Sequence, residues 1–268
     1  MKYNLFKILV FSVFTIFIIF LLSVLFTPII YNKGQALLSI IHNKEVYFAL
    51  SLSLISSLIS ITIATIIGLP VAYVLARYDF KGKKLFDVLV DLPIILPPLV
   101  TGMSLLILLG PVLGNWLGKL GLNFVFTPLG IIMAQLVVAA PFAIRSFKTA
   151  FAGIDPTFEK AAMTLGDHHF MVFRRITLPL AKNGIITGIT MAWARAVGEF
   201  GATVMLAGAT RFKTETLPIA IYLNIATGNI DLAIAIALIM IIFSIIVLTV
   251  IKIFDKDLYN YYEKERGG

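Results

Sequence analysis

Long apolar runs alternate with short polar stretches along this chain, and the lengths of the runs set the first expectation. A helix needs about 20 mostly apolar residues to cross a bilayer. Six segments reach that length: 8–30, 46–76, 88–110, 127–147, 183–208 and 230–254. They predict an all-α membrane protein with six transmembrane helices, forming a single domain over 1–268. The second run exceeds what a crossing requires, so it is expected to tilt or to extend past the bilayer. The first run follows Lys2 and Lys7 and has no small-residue cleavage site. It is longer than the roughly 7–15-residue core of a signal peptide and reads as a retained helix.

The polar stretches carry the orientation. Sixteen Lys and Arg residues, among them Arg77, Lys81, Lys83, Lys84, Arg145, Lys148, Arg174 and Arg175, fall on the ends and loops of one side. Five fall on the other: Lys33, Lys44, Lys119, Arg211 and Lys213. By the positive-inside rule both termini and the longest polar loop, 148–182, are cytoplasmic. Composition agrees with a multi-pass plasma-membrane protein. Apolar residues make up 59% of the chain and charged ones 13%, against about 25% charged in soluble domains. The net charge of +8 is then a matter of topology, and no nucleic-acid partner is called for. Cysteine is absent, which removes disulfides, thiolate metal sites and a cysteine nucleophile.

Three features break the apolar pattern inside the runs. The second run carries Ser51, Ser53, Ser56, Ser57, Ser60, Thr62 and Thr65, small hydroxyl residues that let helices approach and hydrogen-bond. The third opens "DLPIILPPLVTG", where Pro93, Pro97 and Pro98 remove backbone donors. These prolines mark either the cytoplasmic entry of a span or a bent helix beside a pathway, since irregular backbone at membrane depth survives only inside protein or along a wet cavity. The fifth holds Arg195 and Glu199 at i, i+4 spacing, about 12 residues and so about 18 Å into the run. They share a helix face. Two roles are open to them: an ion pair that locks packing, or charges lining a path.

The loop reads "IDPTFEKAAMTLGDHHFMVFRRITLP" over 154–179. Asp155 caps a helix that Pro156 begins. Gly166 stops it in a left-handed conformation. Asp167 is expected to cap a second short helix over 168–175, and Pro179 to end the unit. Phe158, Met163, Phe170 and Phe173 offer apolar anchors, so the loop reads as a docking element rather than a merely solvated one. His168 and His169 point about 100° apart on a helix and do not converge on one metal ion. The third histidine, His42, is expected on the outer side.

The order Ala161-Ala162, Gly166, Ile176, Leu178, Pro179 resembles the loop signature of permease subunits of ABC importers. That signature usually begins Glu-Ala-Ala; here Lys160 stands at the equivalent position, with Glu159 before it. The segments "RAVGEFGAT", "TETLPIAIY", "DLPIILPP" and "VAYVLARYDFKGK" are similar to the molybdate permeases of that family, within a group that also carries tungstate, sulfate and thiosulfate. The likeness runs over about residues 50–255. It implies the type I ABC importer permease architecture, with 148–182 as a coupling-helix loop. Glu159, Lys160, Ala161, Ala162, Gly166, Ile176, Leu178 and Pro179 would then contact a partner ATPase. It implies a second copy of the chain, two cytoplasmic ABC ATPases that use ATP and Mg, and an oxyanion-binding protein outside. That protein would dock on loops near 31–45, 111–126 and 209–229. Arg195, Glu199, Gly201, Pro97 and Pro98 are the pathway candidates, and the expected cargo is molybdate.

The chain has no G-x-x-x-x-G-K-[ST] phosphate loop, so ATP hydrolysis is expected in the partner. No cofactor, metal or catalytic residue is assigned to the chain itself. An intramembrane hydrolase would need H-E-x-x-H, or a histidine or paired aspartates within a run; Asp91 and Asp231 lie at run ends. A stand-alone channel or secondary carrier would not need the docking loop.

Overall fold

The computed structural model describes residues 2–31 and 43–266, with side chains over 5–31 and 43–249. His42 and residues 32–42 of the expected outer loop 31–45 lie outside the described residues. The described residues form helices and turns, with no strand. In chain order the helices are α1 (Lys2–Tyr31), α2 (Lys44–Arg77), α3 (Lys83–Ile95), α4 (Pro98–Ile107), α5 (Gly114–Lys119), α6 (Pro128–Ala152), α7 (Pro156–Thr164), α8 (His169–Val172), α9 (Leu178–Val197), α10 (Gly201–Leu206), α11 (Leu217–Ala226) and α12 (Ile230–Arg266).

Four helices are long and apolar enough to cross a membrane unbroken: α1, α2, α6 and the part of α12 over Ile230–Thr249. The runs predicted at 88–110 and 183–208 are not single helices, which corrects the sequence reading. The first divides into α3 and α4, bent by 110°, with Leu96 and Pro97 both extended (ψ 136 and 131). Each of these two residues precedes a proline, and a residue before proline is pushed out of the helical region. Pro93, by contrast, sits inside α3 without ending it. The second run ends at Val197, crosses Gly198–Phe200 and restarts at Gly201.

Packing follows small residues. Ile61, Ala64, Ala72 and Leu75 of α2 meet Ala139, Ala143, Phe147 and Phe151 of α6, and Ala181, Ala192 and Ala196 of α9 close the cluster. Three serines of the α2 stripe hold neighbouring segments. The Ser53 hydroxyl accepts from the Leu217 N–H (2.8 Å), and Ser57 accepts from the Trp193 indole N–H (2.9 Å). Ser60 donates toward the Ile132 carbonyl (2.9 Å). Thr62 and Thr65 bond back to their own helix instead. A second cluster joins Val46 and Ala49 to Leu217, Ala220, Leu232 and Ile236, so α11 belongs to the bundle. The stretch 209–229 is therefore not a plain loop. None of the described side chains of α1 is buried, and the main contact of that helix with the rest is along α12.

The two broken helices press together. A Cβ at Gly102 would lie 2.6 Å from the Ala202 Cα, and one at Gly201 would lie 2.9 Å from the Pro98 Cβ. These contacts are to backbone and ring atoms that cannot rotate away. Gly102→Ala is expected to cost about 1–3 kcal/mol through overpacking, read as a lower melting temperature in detergent. Gly118→Ala, whose nearest neighbour would be 3.5 Å away, serves as the silent control.

Candidate functional site

Three polar constellations stand out, one at each end of α2 and one at the helix breaks. At the breaks, α9 ends just before Glu199, whose carboxylate is buried at 1% exposure. One oxygen pairs with the Arg195 guanidinium at 2.7 Å; the other accepts the Ala202 N–H at 2.8 Å. Glu199 thereby neutralises an arginine and satisfies a free N–H of the restarted helix. All five pathway candidates gather here: Arg195 and Glu199 on one side of the break, Gly201 against Pro98, and Pro97 at the bend. Two hydroxyls on the packed pair α4–α10, Thr101 and Thr203, are buried without a hydrogen-bond partner.

At the far end of α2, the loop 148–182 is shorter than its sequence boundaries, because α6 runs to Ala152 and α9 begins at Leu178. Asp155 caps α7 through the Thr157 N–H (2.8 Å), which holds its carboxyl below the usual carboxylate range. Gly166 has φ +99 and faces open space. Two expectations are corrected. His168, not Asp167, caps the next helix, its Nδ1 accepting from Met171 N–H (3.4 Å), while Asp167 pairs with Arg175. Pro179 does not end the unit. It lies in the first turn of α9, which joins α8 through a wide turn over Phe173–Thr177. There the Leu178 N–H reaches back five residues to the Phe173 carbonyl, the π-type bond that such bulges carry.

Glu159 is the hinge point of this region. Its Oε1 takes a bond from Arg77 Nε (3.1 Å), at the end of α2, and another from Thr177 Oγ1 (2.7 Å), at the start of α9. Arg77 also donates to the Ile154 carbonyl (3.0 Å). Lys160 is exposed. The carboxylate that the signature places beside the alanines is thus supplied one residue earlier and turned inward. Ala162 is buried and Ala161 exposed. Phe158 (59% exposed), Leu165 (88%) and Phe170 (66%) present an apolar surface. Phe173 does not join it: it packs between Tyr73 and Phe151, with ring centroids 4.9 and 6.0 Å away. Leu165 was missed in the sequence because it abuts Gly166 and reads as a helix end.

At the opposite end of α2 lies a cluster that no sequence motif announced. Glu45 pairs with Arg211 (2.7 Å) and accepts from the Asn224 side-chain amide (2.6 Å). Arg211 also donates to Thr227 (3.2 Å). Glu215, fully buried beside them, accepts the Phe212 N–H at 2.9 Å and leaves its other oxygen without a partner. Burial, helped by the neighbouring charge of Glu45, pushes the Glu215 carboxyl up to about 7, against the Phe212 N–H and Arg211.

With these sites placed, the fold and family can be stated together. The fold is that of an ABC-importer permease. It matches a bacterial ABC transporter that imports the polysaccharide alginate with a TM-score of 0.72, covering 92% of this chain and 94% of that one at 18% identity. The chain belongs to the family of binding-protein-dependent transport system inner membrane components, whose model matches residues 64–259. It is 41% identical over 200 residues to a probable molybdenum ABC transporter permease of Haloferax volcanii, covering 74% of this chain and 72% of the relative. It is 32% identical over 211 residues to the sulfate transport system permease CysT of Escherichia coli strain K12, covering 78% and 76%. It is a multi-pass membrane protein of the molybdate and sulfate permease type.

Two measurements test the end clusters. Glu159→Ala leaves the half-buried Arg77 guanidinium without its carboxylate and is expected to cost about 3 kcal/mol. Lys160→Ala, on an exposed side chain, is expected to change stability by less than about 0.5 kcal/mol. Thermal unfolding of the two variants in one detergent compares them. Glu215 binds its proton more tightly folded than free, so its contribution is complete below about pH 4.5 and is lost as pH rises through about 7. Amide exchange at 212–216, corrected for intrinsic rate, is expected to quicken between pH 6 and pH 8. Glu215→Gln is expected to remove that pH dependence.

Proposed function

We propose that this chain is the membrane-spanning subunit of an ATP-driven, binding-protein-dependent importer, and that its cargo is the oxyanion molybdate. The observation that carries the cargo is the 41% identity to the Haloferax volcanii molybdenum permease, against 32% to the sulfate permease. Tungstate and sulfate or thiosulfate are the alternatives within the same group. In this reading the chain crosses the membrane six times, with the bent pairs α3–α4 and α9–α10 each taking one passage. Both termini face the cytoplasm, which the 16-to-5 distribution of basic residues supports.

The region around Glu159 is then the coupling element. An ATPase subunit grips the apolar surface of Phe158, Leu165 and Phe170, while Glu159 ties that surface to the ends of α2 and α9. A push on α7 therefore reaches two long helices through one buried carboxylate. The complex contains two such chains and two ATPases, with a loaded binding protein seated at the Glu45–Arg211 end. ATP and Mg are used by the ATPases, and this chain performs no chemistry. Reconstituted in proteoliposomes with its ATPase, the complex is expected to hydrolyse ATP faster when molybdate-loaded binding protein is added. Molybdate uptake is expected only with ATP; uptake by the permease alone would refute the reading.

A further inference from the structure

In the importer reading the cargo must leave toward the cytoplasm, and one cavity is a candidate for that step. It has a volume of about 420 Å³ and lies between α3, α6 and α9, lined by Ile94, Arg145, Thr149, Gly184, Thr187 and Met191, among others. Gly184, Thr187, Met191 and Arg195 are spaced by three, four and four residues, so they form one stripe on α9. Arg195 stands about 12 Å along that stripe from Thr187. The α9 stripe that lines the cavity therefore leads from the Glu199–Arg195 pair toward the Glu159 end of the bundle.

Arg145 is the charge in this cavity. Its side chain makes no hydrogen bond or ion pair among the described residues, unlike Arg77, Arg175, Arg195 and Arg211. The hydroxyls nearby divide into used and free. Ser146 donates to the Gly184 carbonyl (3.0 Å) and Thr149 to the Arg145 carbonyl (3.0 Å). Thr187 has no such bond, so its hydroxyl remains a donor. On the other flank, Arg145 shares a smaller cavity of about 220 Å³ with Asp91 and with the paired Asp87 and Lys148. The Asp91 carboxylate lies beyond ion-pair distance of Arg145 and opposes tight anion binding. An unpaired, exposed guanidinium, a free hydroxyl and a weakly opposing acid together make a site that attracts an anion and lets it go.

We propose that Arg145 and Thr187 form a transient station for a tetrahedral oxyanion on its way from the Arg195 level to the cytoplasm. This rests on the importer reading above. The chain has no cysteine, so a single introduced thiol reports the cavity without background. In inside-out vesicles holding the complex with its ATPase, Met191→Cys is to be labelled with a sulfonate-bearing and a trimethylammonium-bearing methanethiosulfonate. Each rate is divided by that reagent's rate with a free thiol. The anionic reagent is expected to react about tenfold faster. Adding Arg145→Gln is expected to erase the preference and Arg145→Lys to keep it. Ile94→Cys reads the same cavity should Met191→Cys not assemble. Equal rates for the two reagents, a preference unchanged by Arg145→Gln, or no labelling at either position would overturn the station. ATP-driven release of molybdate from the lumen by the unmodified complex, with loaded binding protein enclosed in the same vesicles, separates the two readings. Release intact beside a failed labelling pattern removes the station alone, and absent release removes the importer reading.

Discussion

The buried carboxylate of Glu199 is the interaction on which the middle of this protein depends. In a bilayer a freed backbone N–H finds no water, so an interrupted helix survives only where protein satisfies it. Glu199 does this for the restart at Gly201, donating nothing and accepting the Ala202 N–H. Its second oxygen holds Arg195, which at that depth would otherwise be costly. One residue thus makes both the break and the charge tolerable. These contacts show the packing role of the pair, and the same geometry fixes where the guanidinium points.

The break at Gly198 depends on the other at Pro97. α4 and α10 approach so closely at Gly102 and Gly201 that no side chain fits there. Close backbone approach is the usual way helices associate in lipid, where burial alone offers no drive. Here it joins two half-helices from distant parts of the chain, and the bend of 110° at Leu96–Pro97 is what brings α4 into position.

The ends of α2 carry two further ties of the same kind. Glu159 anchors α7 to Arg77 and Thr177, and Glu45 gathers Arg211 and Asn224. Both carboxylates are buried and both hold partners from other elements, so the 34-residue α2 acts as a rod with a polar clamp at each end. Between the clamps α2 packs tightly against α6. Burial of Glu215 beside the Glu45 clamp adds a proton-sensitive group there.

What the sequence determined by itself is whatever depends on local sums. Apolar length places α1, α2, α6 and α12. The Asp155-Pro156 start and the Gly166 stop define α7. The paired prolines offered a bend as one of two readings, and the i, i+4 spacing joins Arg195 to Glu199. The order of alanines, glycine and Leu-Pro pointed to the family. The tertiary structure alone decided the rest, because it turns on contacts between residues far apart in the chain. Glu159 meets Arg77 across 82 positions and Glu45 meets Asn224 across 179. Neither pairing has a spacing that a motif can carry. The same holds for Lys160, which the signature made conspicuous and the fold leaves in solvent. Phe173 looked like an anchor by type and became core because Tyr73 and Phe151 lie over it. A side chain's chemistry is written in the sequence; whether it is buried, paired or free is settled by which distant helix arrives beside it.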